Sequence, residues 1–174
     1  MSDTLNTGDI VLTGRRSQGL VSQAIRLGSK IRYGFRSPYT VWAHAALVID
    51  AEQFLVAEAR SRGVVVSDMR DRFPAGDFAV VPTGGSLNEH DLNQVLDFAN
   101  AVLASRTRYG FVTFIGLGIY CLTGGGLCIQ KAGTAICSGF VCDALTRAGY
   151  IWNRPPYAMM PSDIAKHFAF APTS

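Results

Sequence analysis

The sequence predicts a single α+β domain, on three observations. Short apolar runs bounded by Gly, Pro and Asp cluster in the first half of the chain. Apolar residues at helical spacing dominate the second half. No internal repeat, linker or shift in composition divides the 174 residues, a length that suits one domain. A chain of this size buries roughly 70% of its unfolded surface, so it needs no metal or disulfide staple. Apolar residues make up 48% and charged residues 17%, which excludes a disordered chain, a coiled coil and a collagen-like repeat.

Taken in order, residues 8–14 form a short apolar run bracketed by glycines, read as a strand. Ser17 can cap a following helix, with Leu20, Val21, Ala24, Ile25 and Gly28 on its inner face and Arg26 and Lys30 off it. Residues 33–39, with Gly34 and Pro38, read as a loop. Residues 43–50 are a strand apolar enough to be buried on both faces. Further strands are read at 54–60, 63–66 and 77–82, the last ended by Pro82 and Gly84-Gly85. Ser86 and Glu89 have capping-box spacing ahead of a helix carrying Leu92, Val95, Leu96, Ala99, Val102 and Leu103. Residues 136–148 form another helix, with Ile136, Phe140, Val141, Ala144, Leu145 and Ala148 as its stripe and Gly149 as its stop. A last short helix starts near Ser162, after Pro161.

Residues 109–130 carry no formal charge over 22 positions, but Thr123 and three consecutive glycines from Gly124 interrupt them. The remaining apolar core of about 14 residues is shorter than a bilayer span needs, so a buried helix is expected there. The first nine residues lack a basic region followed by an apolar one, so no Sec-type leader is expected. A cytoplasmic protein is the default, with a phage or specialised secretion route as the alternative for a cell-wall enzyme. Cys121, Cys128, Cys137 and Cys142 fall within 22 residues and lack paired C-x2-C knuckles, so neither a zinc site nor any other cofactor is expected. Reduced thiols are the default; a Cys121–Cys128 bridge stays open.

The formal net charge is only +3, too mild to indicate nucleic-acid binding, and no nucleic-acid partner is expected. Its distribution is uneven. Residues 10–49 contain Arg15, Arg16, Arg26, Lys30, Arg32 and Arg36 and no Asp or Glu. Such a segment would suit an anionic membrane surface.

Cys137 opens a predicted helix, where unpaired N–H groups and the helix dipole favour thiolate and could hold an oxyanion. Ser138 and Gly139 follow, and Gly139 would leave the approach of a substrate unobstructed. A buried structural thiol is the competing reading for Cys137, and the preferred one for Cys142. Of three histidines, His90 and His167 lie in polar surroundings, whereas His44 opens an apolar strand. Glu58 stands in the next strand, in Val56-Ala57-Glu58-Ala59. A three-residue connection would pair Asp50 with Phe54 and Ala46 with Glu58, putting His44 and Glu58 on one face within reach. A two-residue loop would put them on opposite faces.

These residues, in the order His44, Glu58, Cys137, resemble the permuted papain-like hydrolases, circularly permuted relatives of the NlpC-type cell-wall peptidases. The opening Gly8-Asp9-Ile10-Val11, the His44-Ala45-Ala46-Leu47-Val48 strand and Glu58-Ala59 with Gly63-Val64 are similar to that family. So are Arg108-Tyr109-Gly110-Phe111, Cys137-Ser138-Gly139-Phe140-Val141 and Pro161-Ser162-Asp163-Ile164. The resemblance implies a papain-like α+β fold, with the cysteine helix packed on an antiparallel sheet that carries the histidine. It implies Cys137 as nucleophile, His44 as general base and Glu58 as orienting group, with Ser138, Gly139 and Tyr109 near the substrate. Ile136 departs from the Asp that often precedes this cysteine in non-permuted relatives.

Three functions follow as expectations. The first is a cysteine hydrolase cleaving an amide, such as a peptide or isopeptide of peptidoglycan. The second keeps these residues for lipid acyl transfer or hydrolysis, as in relatives resembling lecithin retinol acyltransferase. The third is a non-catalytic binding protein on the same scaffold.

Overall fold

A computed structural model describes residues 4–14, 19–60, 63–73, 76–105 and 137–171. Five strands form one sheet: β1 (Ile10–Thr13), β2 (His44–Asp50), β3 (Leu55–Arg60), β4 (Gly63–Asp68) and β5 (Phe78–Val81). They lie in the order β4-β3-β2-β1-β5, and every neighbouring pair is antiparallel. The helices are α1 (Leu20–Tyr33), α2 (Met69–Arg72), α3 (Glu89–Ala104), α4 (Cys137–Arg147) and α5 (Pro161–His167). The architecture is therefore α+β, with a five-stranded antiparallel sheet.

Strand alternation divides the core. Ile10, Leu12, Ala45, Leu47, Ala57, Ala59 and Val81 face one way, onto Val95 and Ala99 of α3, Phe140, Val141 and Leu145 of α4, and Ile164 of α5. Val11, Ala46, Val48 and Val56 face the other way, onto Met69 and Phe73. Both faces of β2 are thus covered, as its unbroken apolar run requires.

Several boundaries differ from the sequence reading. Helix α1 is preceded by Gly19 at the N-cap without a side-chain cap, and Ser17 lies outside the described residues. Its buried side is Ile25, Gly28 and Ser29; Val21 and Ala24, expected inside, are exposed. Asn88, not Ser86, caps α3, accepting a hydrogen bond from Asp91 N–H. Asn88 directly precedes Glu89, whereas Ser86 is turned back to donate to the Thr83 carbonyl at 2.7 Å. Strand β4 runs two residues beyond Val66, straight into the four-residue helix α2, which Asp68 caps. Gly149 stops α4 as expected, with φ +81°. The uncharged segment 109–130, Cys121 and Cys128 lie outside the described residues. No described helix is long and apolar enough to cross a membrane.

Candidate active site

The register of β2 and β3 places the first two site residues. Ala46 stands opposite Glu58, so Glu58 shares a face with His44, two residues along. The connection is not the three-residue loop expected from sequence. Residues 51–54 form a four-residue turn, and a one-residue bulge between Val48 and Asp50 pairs Asp50 with Leu55 instead of Phe54. The extra turn residue and the bulge offset one another, and the face is kept. Phe54 closes the turn at φ +57° and its carbonyl accepts from Met69 N–H at 2.8 Å, tying the turn to α2.

His44 Nε2 lies 2.7 Å from Glu58 Oε2. The other carboxylate oxygen, Oε1, accepts from Ser67 Oγ at 2.7 Å and Arg72 Nε at 2.9 Å. The Glu58 side chain is fully buried. Burial alone would raise its pKa, but the hydrogen bonds from His44 and Ser67 and the charges of His44 and Arg72 hold it down at about 2. A buried carboxylate is thus kept ionised by three partners on its two oxygens.

Cys137 is the first described residue of α4, 5% exposed, and meets His44 and Ala45 at the start of β2. Burial pushes its thiol up; the charge and hydrogen bond of His44, with the backbone N–H groups of Ala45 and Ser138, outweigh that and lower it. Burial likewise opposes charge on His44, yet Cys137 and Glu58 together raise its pKa to about 9. Because Nε2 faces Glu58, Nδ1 is the ring nitrogen left for the cysteine sulfur. The two shifts run in the directions that favour thiolate on Cys137 and imidazolium on His44. Phe73 covers the imidazole, ring centroids 6.4 Å apart.

The residues flanking Cys137 play other parts than expected. Ser138 is fully buried and its Oγ donates to the Met159 carbonyl at 2.6 Å, so only its backbone N–H addresses the sulfur. Gly139 does not clear a path for substrate. A Cβ there would meet the Pro156 carbonyl at 3.1 Å and Tyr157 Cα at 3.6 Å, so the missing side chain lets α4 approach the turn Pro156–Ala158. Tyr109 lies outside the described residues.

Cys142 is a buried free thiol whose pKa is raised, by burial first and then by the charges of Asp143 and Asp163. His90 is exposed and pairs with Gln94, and His167 is exposed against the Trp152 ring. Ser67, Arg72 and the Ala45 N–H are site groups that the sequence reading missed. The one available signal was the alternation of β4, which puts Val65 opposite Glu58 and Ser67 two residues on, on the same face. Among the described residues, no cluster of His, Cys, Asp and Glu could hold a metal ion. No protein-family model and no curated protein matches the chain.

Proposed function

We propose that this chain is a cysteine hydrolase of the permuted papain-like type that cleaves an amide bond, of a peptide or isopeptide such as those of peptidoglycan. The observation that carries the reading is the contact chain Cys137–His44–Glu58: a sulfur, an imidazole between two partners, and a buried carboxylate held ionised. These contacts support the roles of nucleophile, proton carrier and orienting group in acyl transfer. In the proposed reaction the Cys137 thiolate attacks the carbonyl carbon, and the oxyanion forms beside the N-terminal end of α4. His44 delivers its Nδ1 proton to the departing nitrogen as the C–N bond breaks, leaving an amine and a thioester on Cys137. Neutral His44 next takes a proton from water as the water oxygen attacks the thioester. Collapse releases the acid and returns thiolate and imidazolium.

The experiment is intact-mass and peptide mass spectrometry of the protein quenched in acid during incubation with paired amide and ester libraries, peptide and lipid. An acyl adduct on Cys137, absent from Cys137→Ala and formed from amides, supports the reading. Adducts from lipid esters alone would move the chain to the lipid acyl hydrolases or acyltransferases. No adduct from any library, with free amine undetected, would leave a binding protein on this scaffold.

A further inference from the structure

Helix α1 turns an apolar side to solvent. Val21 is 48%, Leu27 52% and Ile31 47% exposed, and Phe35, just beyond the helix, is 71% exposed. With the exposed Ala24, positions 24, 27 and 31 follow one another at helical spacing as a single ridge, and Val21 is exposed in the first turn. The rotation of the helix is fixed from the other side. Ile25, Gly28 and Ser29 are buried, Ser29 Oγ lies 2.8 Å from Ser162 Oγ, and Arg32 pairs with Asp163 at 2.7 Å. Arg26 donates to the Gly14 carbonyl. The ridge cannot turn inward without breaking these bonds.

The segment that carries the ridge has formal charge of one sign. Residues 10–49 hold six basic residues and no acidic one, while the rest of the chain holds ten basic and thirteen acidic. Lys30 and the exposed Arg36 stand near the ridge, and Lys166 of α5 lies over the Tyr33 ring at 4.6 Å beside the end of α1. The nearby carboxylate, Asp163, is occupied by Arg32, Tyr33 and the Met160 N–H.

We propose that α1 docks this ridge onto an anionic lipid surface, with Leu27, Ile31 and Phe35 in the acyl boundary and Lys30 and Arg36 at the headgroups. Complementary charge selects an anionic partner, and the convex shape selects a deformable one. A ridge on a single helix about 21 Å long offers far fewer than the roughly 20–30 residues per side of a stable protein interface. Apolar contact plus uniform positive charge is what interfacial helices use. The proposal is independent of the catalytic reading and uses none of its residues.

The test is co-sedimentation of the full chain with vesicles of phosphatidylcholine alone or mixed with phosphatidylglycerol, at low and high salt. Variants are Leu27→Glu/Ile31→Glu and Lys30→Gln/Arg36→Gln, each first shown to keep the parent's circular dichroism and melting temperature. Binding to the mixed vesicles only, weakened by salt, is expected. The apolar pair should lose at least about tenfold in affinity, and the basic pair about fivefold per charge, with a shallower salt dependence. Failure of the parent to bind, salt-insensitive binding, or unchanged binding by both variants would overturn the proposal. So would sedimentation velocity showing a dimer that Leu27→Glu/Ile31→Glu dissociates, which would assign the ridge to a second copy. If Leu27→Glu/Ile31→Glu fails the fold check, Leu27→Ser/Ile31→Ser takes its place with the same expected loss.

Discussion

Glu58 binds His44 through one carboxylate oxygen, Nε2 to Oε2 at 2.7 Å, and commits the other to Ser67 and Arg72. The imidazole is therefore oriented by a group that is itself oriented. In Glu58→Gln the charge goes while the shape remains. The His44 pKa should fall from about 9 toward its ordinary 6.5, and the Cys137 thiolate should lose its charged partner. Imidazole titration by NMR reads the first effect. Alkylation of Cys137 near pH 6 reads the second and should slow.

Ser67 and Arg72 share one oxygen of Glu58, so either should partly cover for the other. Ser67→Ala and Arg72→Ala should each lower turnover a few-fold, and the pair should lose more than the product of the two. The coupling is read in a double-mutant cycle, expected at about 0.5–3 kcal/mol for residues in one network. Arg72→Lys should rescue only in part, since the bond runs through the guanidinium Nε.

The pH behaviour follows from two shifts of opposite direction. His44 is raised from 6.5 to about 9, so its contribution to stability is fully present below pH 6.5 and lost as pH rises through about 9. Glu58 is lowered from 4.5 to about 2, so its contribution is present above pH 4.5 and lost as pH falls through about 2. Denaturant melts across pH should show greatest stability between these limits. Turnover of an amide should fall above about pH 9 as His44 loses the proton it donates. Alkylation of Cys137, which needs only thiolate, should not fall there.

Gly139 answers to packing, so Gly139→Ala should destabilise by about 1–3 kcal/mol, lowering Tm by roughly 2–4 °C for each kcal/mol. The ionisation of Cys137 should be unchanged. Thermal melts paired with alkylation rates separate the two. A variant of normal stability whose Cys137 titration has moved would return Gly139 to the site.

What could be read from the sequence was what period and register control. Alternation in β2 and β3 made the shared face of His44 and Glu58 depend on the length of the connection, because the side-chain period of a strand is two. The means differed, since Ile49 looks like any strand residue and nothing in Val-Ile-Asp marks a bulge. Ser67 and Arg72 were hidden by a different cause. They reach Glu58 from the end of β4 and a single turn of helix, where local pattern carries little signal. The role of Gly139 depended on Pro156, seventeen residues away, a contact that no local rule contains. On α1 the apolar periodicity was legible, but which side of it faced the core was set by Ser162 and Asp163, more than a hundred residues on.

The central claim is that Cys137 and His44 form a thiolate–imidazolium pair. It is tested most directly by site-resolved alkylation against pH, read by peptide mass spectrometry in the native protein and in His44→Ala. Cys142, a buried thiol with a raised pKa, is the internal reference. Cys137 should react rapidly below pH 7 in the native protein, His44→Ala should shift this reactivity to well above pH 7, and Cys142 should stay inert in both. A Cys137 that titrates like an ordinary thiol near pH 8.5, or that ignores the loss of His44, would contradict it.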